Sequence, residues 1–73
     1  MDPWEVKTEL EKKWPRYSFD VLSCAYEWAD RTLWTIYALN LDKEYDHCPA
    51  EVHSIPGPHE AIELINFKME KLA

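Results

Sequence analysis

The residues with the widest chemical repertoire in this chain are Cys24, His47, Cys48, His53 and His59. Thiolates and imidazoles are the ligands zinc takes in tetrahedral geometry. Two cysteines can also close a disulfide, and a cysteine beside a histidine holds, by name, the parts of a thiol nucleophile. Each option fails on spacing or setting. There is no C-x-x-C and no H-x-x-x-H pairing. Cys24 sits inside an apolar run, where a free cysteine behaves as a small hydrophobe. The expectation is no metal and no cofactor. A Cys24–Cys48 bridge is disfavoured in a reducing cytosol, and the sequence leaves the pairing open. His47 and Cys48 are adjacent, and adjacent residues seldom bring sulfur and imidazole into bonding geometry.

Other catalytic arrangements fare no better. Glu44 and Asp46 lie in a polar stretch with nothing to raise one carboxyl above the other. A single glycine excludes a Gly-rich phosphate loop. A 73-residue chain has little room for a closed pocket. The chain is expected not to be an enzyme.

The aromatic residues are the second resource. Four Trp, four Tyr and two Phe supply large buried area per residue. They concentrate between Arg16 and Asp42, where the apolar pattern breaks its own alternation. Tyr17, Phe19 and Val21 share one strand phase; Leu22, Cys24, Tyr26 and Trp28 occupy the other. Residues 33–39 are apolar in both phases. A phase change at Val21-Leu22 predicts a bulge, a face switch or a strand buried on both sides.

Charge narrows the choice of partner. The net charge is −6, with 14 acids against 8 bases. Residues 1–16 are balanced. Asp20, Glu27, Asp30, Asp42, Glu44, Asp46 and Glu51 make the middle of the chain acidic, with Arg31 and Lys43 the bases there. Such a surface repels phosphate backbones and favours basic partners or simple solubility. Acids at this density could also imitate a phosphate backbone. No 18-residue apolar run predicts a membrane helix, and no charged start with an apolar h-region predicts a signal peptide. A cytoplasmic protein is expected, and the chain, opening at Met1, reads as one small gene product.

These residues must be positioned by a few elements. Asp2 fits a helix N-cap and Pro3 its first position. Val6, Leu10 and Trp14 then form one stripe, with Trp4 and Glu11 off it, and Pro15 stops the helix near Trp14. Residues 17–28 and 32–41, rich in aromatic and β-branched side chains, predict a hairpin across Ala29-Asp30-Arg31. Residues 51–55 predict a short third strand before Pro56. Gly57 and Pro58 open a final helix to about Leu72. Its buried stripe is Ala61, Leu64, Ile65, Met69 and Leu72, with Ile62 on the flank.

The order α-β-β-(β)-α predicts a single small two-layer α+β domain, with two helices on one face of an antiparallel sheet. That order is shared, as topology alone, with double-stranded-RNA-binding domains. The helix those domains use for phosphate contact is basic, whereas the final helix here has three acids and two lysines.

The functional expectation is a non-enzymatic protein-binding module. It engages a basic partner, or a second copy of itself as a homodimer, through an aromatic sheet face. Tyr26, Trp28, Arg31, Trp34 and Tyr37 are the expected contacts, because interfaces favour Tyr, Trp and Arg at their energetic centres. Asp20, Glu27, Asp30, Asp42, Glu44 and Asp46 are the expected acidic rim. Small proteins of this kind are often regulators or inhibitors, phage-encoded ones among them. The alternatives are a nucleic-acid-associated domain of this order, or an acidic nucleic-acid mimic.

Overall fold

The computed structural model describes residues 1–26, 31–40 and 48–72. Element order is α1 (Pro3–Lys13), β1 (Tyr17–Tyr26), β2 (Arg31–Asn40), β3 (Ala50–Ile55) and α2 (Pro58–Leu72). The strands form one antiparallel sheet in the order β1-β2-β3. Both helices pack on one face of it, so the molecule is the small two-layer α+β domain expected. No helix among the described residues is long and apolar enough to cross a membrane.

Local chemistry accounts for the ends. The Asp2 carboxylate accepts from the Glu5 N–H at 2.8 Å, with Pro3 opening α1. α1 ends as the Trp14 N–H donates to the Leu10 carbonyl, one residue before Pro15. The Gly57 carbonyl accepts from Ala61 at the start of α2.

The core is a single cluster with one period-two set from each strand. Phe19 comes from β1, Trp34, Ile36 and Ala38 from β2, and Ala50 and Val52 from β3. Val6 and Leu10 of α1 and Ala61, Ile65 and Met69 of α2 close over them. The fully buried side chains are large for so short a chain, as they must be when a domain this size removes only roughly 60% of its unfolded surface from water.

Four expectations need correction. β1 pairs with β2 without interruption from Tyr17↔Asn40 to Tyr26↔Arg31, so Val21-Leu22 carries no bulge. The irregularity lies instead between β2 and β3, where Trp34 faces Ile55 and Ile36 faces Val52. Ser54 absorbs the extra residue with φ of 54°, and its N–H donates to Thr35 Oγ1 at 3.2 Å. This bulge turns Ile55 against the core. Second, Arg31 is the first residue of β2 rather than part of the hairpin loop; Glu27, Trp28, Ala29 and Asp30 lie outside the described residues. Third, Leu64 and Leu72 are exposed, because the sheet accepts a narrower stripe of α2 than its apolar pattern offers. Fourth, Trp34 is only 5% exposed and belongs to the core.

The sheet's outer strands are held by helix side chains. Glu11 Oε2 accepts from the Phe19 N–H at 3.0 Å, and Lys7 Nζ donates to the Phe19 carbonyl at 2.9 Å. Lys7 and Glu11 also pair with each other, and both reach the Ser18 hydroxyl. One i,i+4 pair on α1 therefore occupies the edge of β1 as a neighbouring strand would. At the opposite edge, Lys68 Nζ of α2 donates to the Glu51 carbonyl at 2.8 Å. Lysines at strand edges block further pairing there.

Partial burial alone would push Glu11 up. Lys7, the Phe19 N–H and the Ser18 hydroxyl outweigh it and hold the carboxyl below its ordinary 4.5. A depressed folded value contributes stability above the unfolded value, and that contribution is lost as pH falls through the depressed one. Glu11→Gln keeps an acceptor oxygen but removes the charge. Because Glu11 is one-third exposed, urea unfolding at pH 7 is expected to show a loss of about 1 kcal/mol. The difference should shrink as pH falls below 4.5. A gap that stays constant down to strongly acidic pH would contradict the role given to the charge.

Candidate functional site

With both helices on one face, the other period-two set defines the second face. It carries Ser18, Asp20, Leu22 and Cys24 of β1, and Arg31, Leu33, Thr35, Tyr37 and Leu39 of β2. Glu51 and His53 of β3 complete it. The register sets Leu22 opposite Thr35, Cys24 opposite Leu33 and Asp20 opposite Tyr37. Leu22 is 53% exposed and Cys24 is exposed; Leu33, Tyr37 and Leu39 on the central strand are half-buried. The result is an apolar strip along β1 and β2 with polar margins.

Those margins are partly ordered. The Tyr37 and His53 rings meet edge to face, with centroids 5.2 Å apart. His53 Nε2 lies 3.2 Å from Glu51 Oε1. That imidazole, first among several causes, holds the exposed Glu51 carboxyl below its ordinary value.

The expected contact residues divide between the faces. Tyr37 and Arg31 lie on the open face. Trp34 does not, and the reason is parity: residues 34 and 37 are an odd number apart, so a strand must turn them to opposite sides. Its ring instead fills the space between the helices and the sheet, beside Met1, Pro3 and Pro58. Tyr26 ends β1 in register with Arg31, and its side chain falls outside what is described, as does Trp28. Of the expected rim, Asp20 is exposed on the open face. Glu27, Asp30, Asp42, Glu44 and Asp46 lie outside the described residues.

Leu22, Leu33 and Leu39 of this face were not among the expected contacts, although the apolar pattern included them. The signal was present as their shared odd or even phase across paired strands. A second apolar feature also escaped notice. Ile55, Pro56, Leu64 and Phe67 line an open cleft of about 380 Å³ beside α2, with Glu60 and Glu63 at its margin. Lys71 lies over the Phe67 ring at 4.4 Å, a cation–π contact that shields part of it.

Among the described residues, the two cysteines are unpaired, and Cys48 and His53 share a contact with the Glu51 carboxylate. Cys24 and Cys48 are both free and exposed. Among the described residues, no group of three or more His, Cys, Asp and Glu side chains is placed to hold a metal; His47 lies outside them. Cys48 Sγ contacts the Ala50 carbonyl at 3.4 Å and Glu51 Oε2 at 3.7 Å. Burial first, and then the Glu51 carboxylate, hold its thiol above the ordinary value. A nucleophilic cysteine needs the opposite shift.

No family model matches this chain, and no curated protein or solved structure matches it significantly. The site is therefore defined by its geometry: a small α+β sheet protein in which, among the described residues, both helices cover one face and no element covers the other.

The two faces should respond differently to substitution. Trp34→Ala empties the core and is expected to cost about 3–5 kcal/mol. Leu22→Ala removes a side chain already half in water and should stay within about 0.5 kcal/mol. Chemical denaturation of both variants checks this; equal losses would mean that the faces have been assigned the wrong way round.

Proposed function

We propose that this chain is a non-enzymatic protein-binding module that engages a basic partner through the open sheet face. The observation that carries the reading is that face itself. Leu22, Cys24, Leu33, Tyr37 and Leu39, with Thr35 among them, place a cluster of apolar side chains on the side without helices. Contiguous apolar patches of this kind mark interaction sites more often than scattered exposed residues do. Tyr37 and Arg31 are residue types that interfaces favour at their centres. Asp20 and Glu51 at the margins, and a net charge of −6, suit a basic partner and speed its encounter. A regulatory or inhibitory role accords with a small protein whose chief asset is a surface.

Two features weigh against a nucleic-acid role. Tyr37 is the aromatic ring on the described open face, and few cations surround it, whereas base-stacking platforms combine aromatics with a basic groove. The final helix carries Glu60, Glu63 and Glu70 against Lys68 and Lys71.

The test is quantitative capture from native host lysate by the full chain and by Leu22→Glu and Tyr37→Ala variants of unchanged melting temperature. A specific partner with a basic surface should be retained. Its retention should fall as salt rises, and should fall at least about tenfold with Leu22→Glu, the order expected for loss of a hot-spot contact. Capture indifferent to both substitutions would move the interaction off this face. Binding of RNA at low salt would favour the nucleic-acid alternative.

A further inference from the structure

Among the described residues, the free edge of β1 is guarded along one half and bare along the other. The Tyr17 N–H is used by the Trp14 carbonyl, and the Phe19 N–H and carbonyl are used by Glu11 and Lys7. Those contacts show which residues of β1 turn their backbone groups away from β2. In an antiparallel pair the direction alternates residue by residue. Val21, Ser23 and Ala25 therefore present their N–H and C=O groups along the same edge, past the reach of the Lys7–Glu11 pair. The other edge of the sheet is short, lies between Pro49 and Pro56, and has the Glu51 carbonyl covered by Lys68. A bare strand edge is a template for pairing with another chain.

We infer that Val21–Ala25 is a strand-addition site for a second copy of this chain, joining two three-stranded sheets edge to edge into one of six strands. The bare stretch is complementary to itself. An antiparallel twofold centred on Ser23 sets Ser23 against Ser23 and Val21 against Ala25, each pair exchanging N–H···O=C bonds in both directions. In the same register Leu22 of one copy lies opposite Cys24 of the other. Leu22, 53% exposed in the single chain, gains an apolar neighbour. Asp20 falls opposite Tyr26, so between residues 20 and 26 no acid is set opposite an acid. The Lys7–Glu11 pair ends the bare stretch at Phe19 and so excludes registers that would pair Phe19 with the added strand.

Trp4 supports the same surface. It is 71% exposed, the most exposed of the large apolar side chains among the described residues. It stands three residues before Lys7 and seven before Glu11, hence on the same flank of α1. Met1, Asp2 and Pro3 lie near Ser23 and Thr32, so this end of α1 is beside the bare half of β1. An added strand would run past Trp4 and cover part of its ring. Two chains of net charge −6 repel, so this association tightens as salt rises. Binding of a basic protein weakens with salt, and the two readings can fail independently.

The test is sedimentation or light scattering of the full chain over a range of concentration and salt, with amide hydrogen exchange on the same samples. The mass should double from 8.7 kDa with concentration, more readily at high salt. Exchange at Val21, Ser23 and Ala25 should slow by about tenfold or more between dilute and concentrated samples, as expected for newly bonded amides. Ser23→Pro removes an N–H that the molecule's own sheet does not use, a substitution edge strands tolerate. It should leave the circular dichroism spectrum unchanged and the protein monomeric. A chain that stays monomeric at the highest soluble concentration overturns the inference. So does a dimer whose three amides exchange at a rate independent of concentration, a measurement that needs no variant.

Discussion

Everything in this molecule follows from having two helices to cover a three-stranded sheet. Each helix can bury one narrow stripe, and both stripes are spent on the same face. Val6 and Leu10 meet the β1 side, while Ala61, Ile65 and Met69 meet the β3 side. Trp34, Ile36 and Ala38 of the central strand lie between. Strand periodicity then leaves every alternate residue facing away from the helices. The apolar character of the central strand in both phases is thus divided, half into the core and half onto the open face.

The same helices also manage the sheet's edges, and they do it with charge. Lys7, Glu11 and Lys68 project from the helix flanks and take up backbone groups of Phe19 and Glu51. A helix laid over an outer strand places its flanking positions at the strand edge, so residues off the apolar stripe become part of the sheet's bonding. The contacts between the helices are polar as well. Trp14 Nε1 donates to Asn66 at 2.9 Å, and Lys13 lies 3.9 Å from Glu70. These tie the two ends of the chain together over the sheet.

Much of this was legible in the residues. Asp2-Pro3, the Val6 and Leu10 spacing, Pro15 and the Gly57-Pro58 step mark helix limits through backbone chemistry that acts locally, and they place α1 and α2 to within a residue. The open face was legible as an apolar run that ignored alternation. What could not be read was which phase of each strand joins the core, because that depends on register with strands distant in sequence. Trp34 and Tyr37 were grouped by residue type although parity separates them. A bulge was one of three readings of the shifted hydrophobic pattern in β1, yet the bulge sits at Ser54, whose polar side chain carries no hydrophobic pattern to shift. Glu11 was legible only as lying off the apolar stripe of α1, because its partner, the Phe19 N–H, is supplied by the next element.

The functional proposal rests on the open face being open, and Cys24 reports on that directly. It stands near the C-terminal end of β1 on that face, paired in register with Leu33. In a Cys48→Ser background, the rate of thiol labelling at Cys24 in dilute native protein measures its access to solvent. A second-order rate within about tenfold of that of the urea-unfolded chain is predicted, since native-state access then needs no opening of the structure. Labelling slowed by several orders of magnitude, and restored only by unfolding, would mean that this face is buried and would contradict the account.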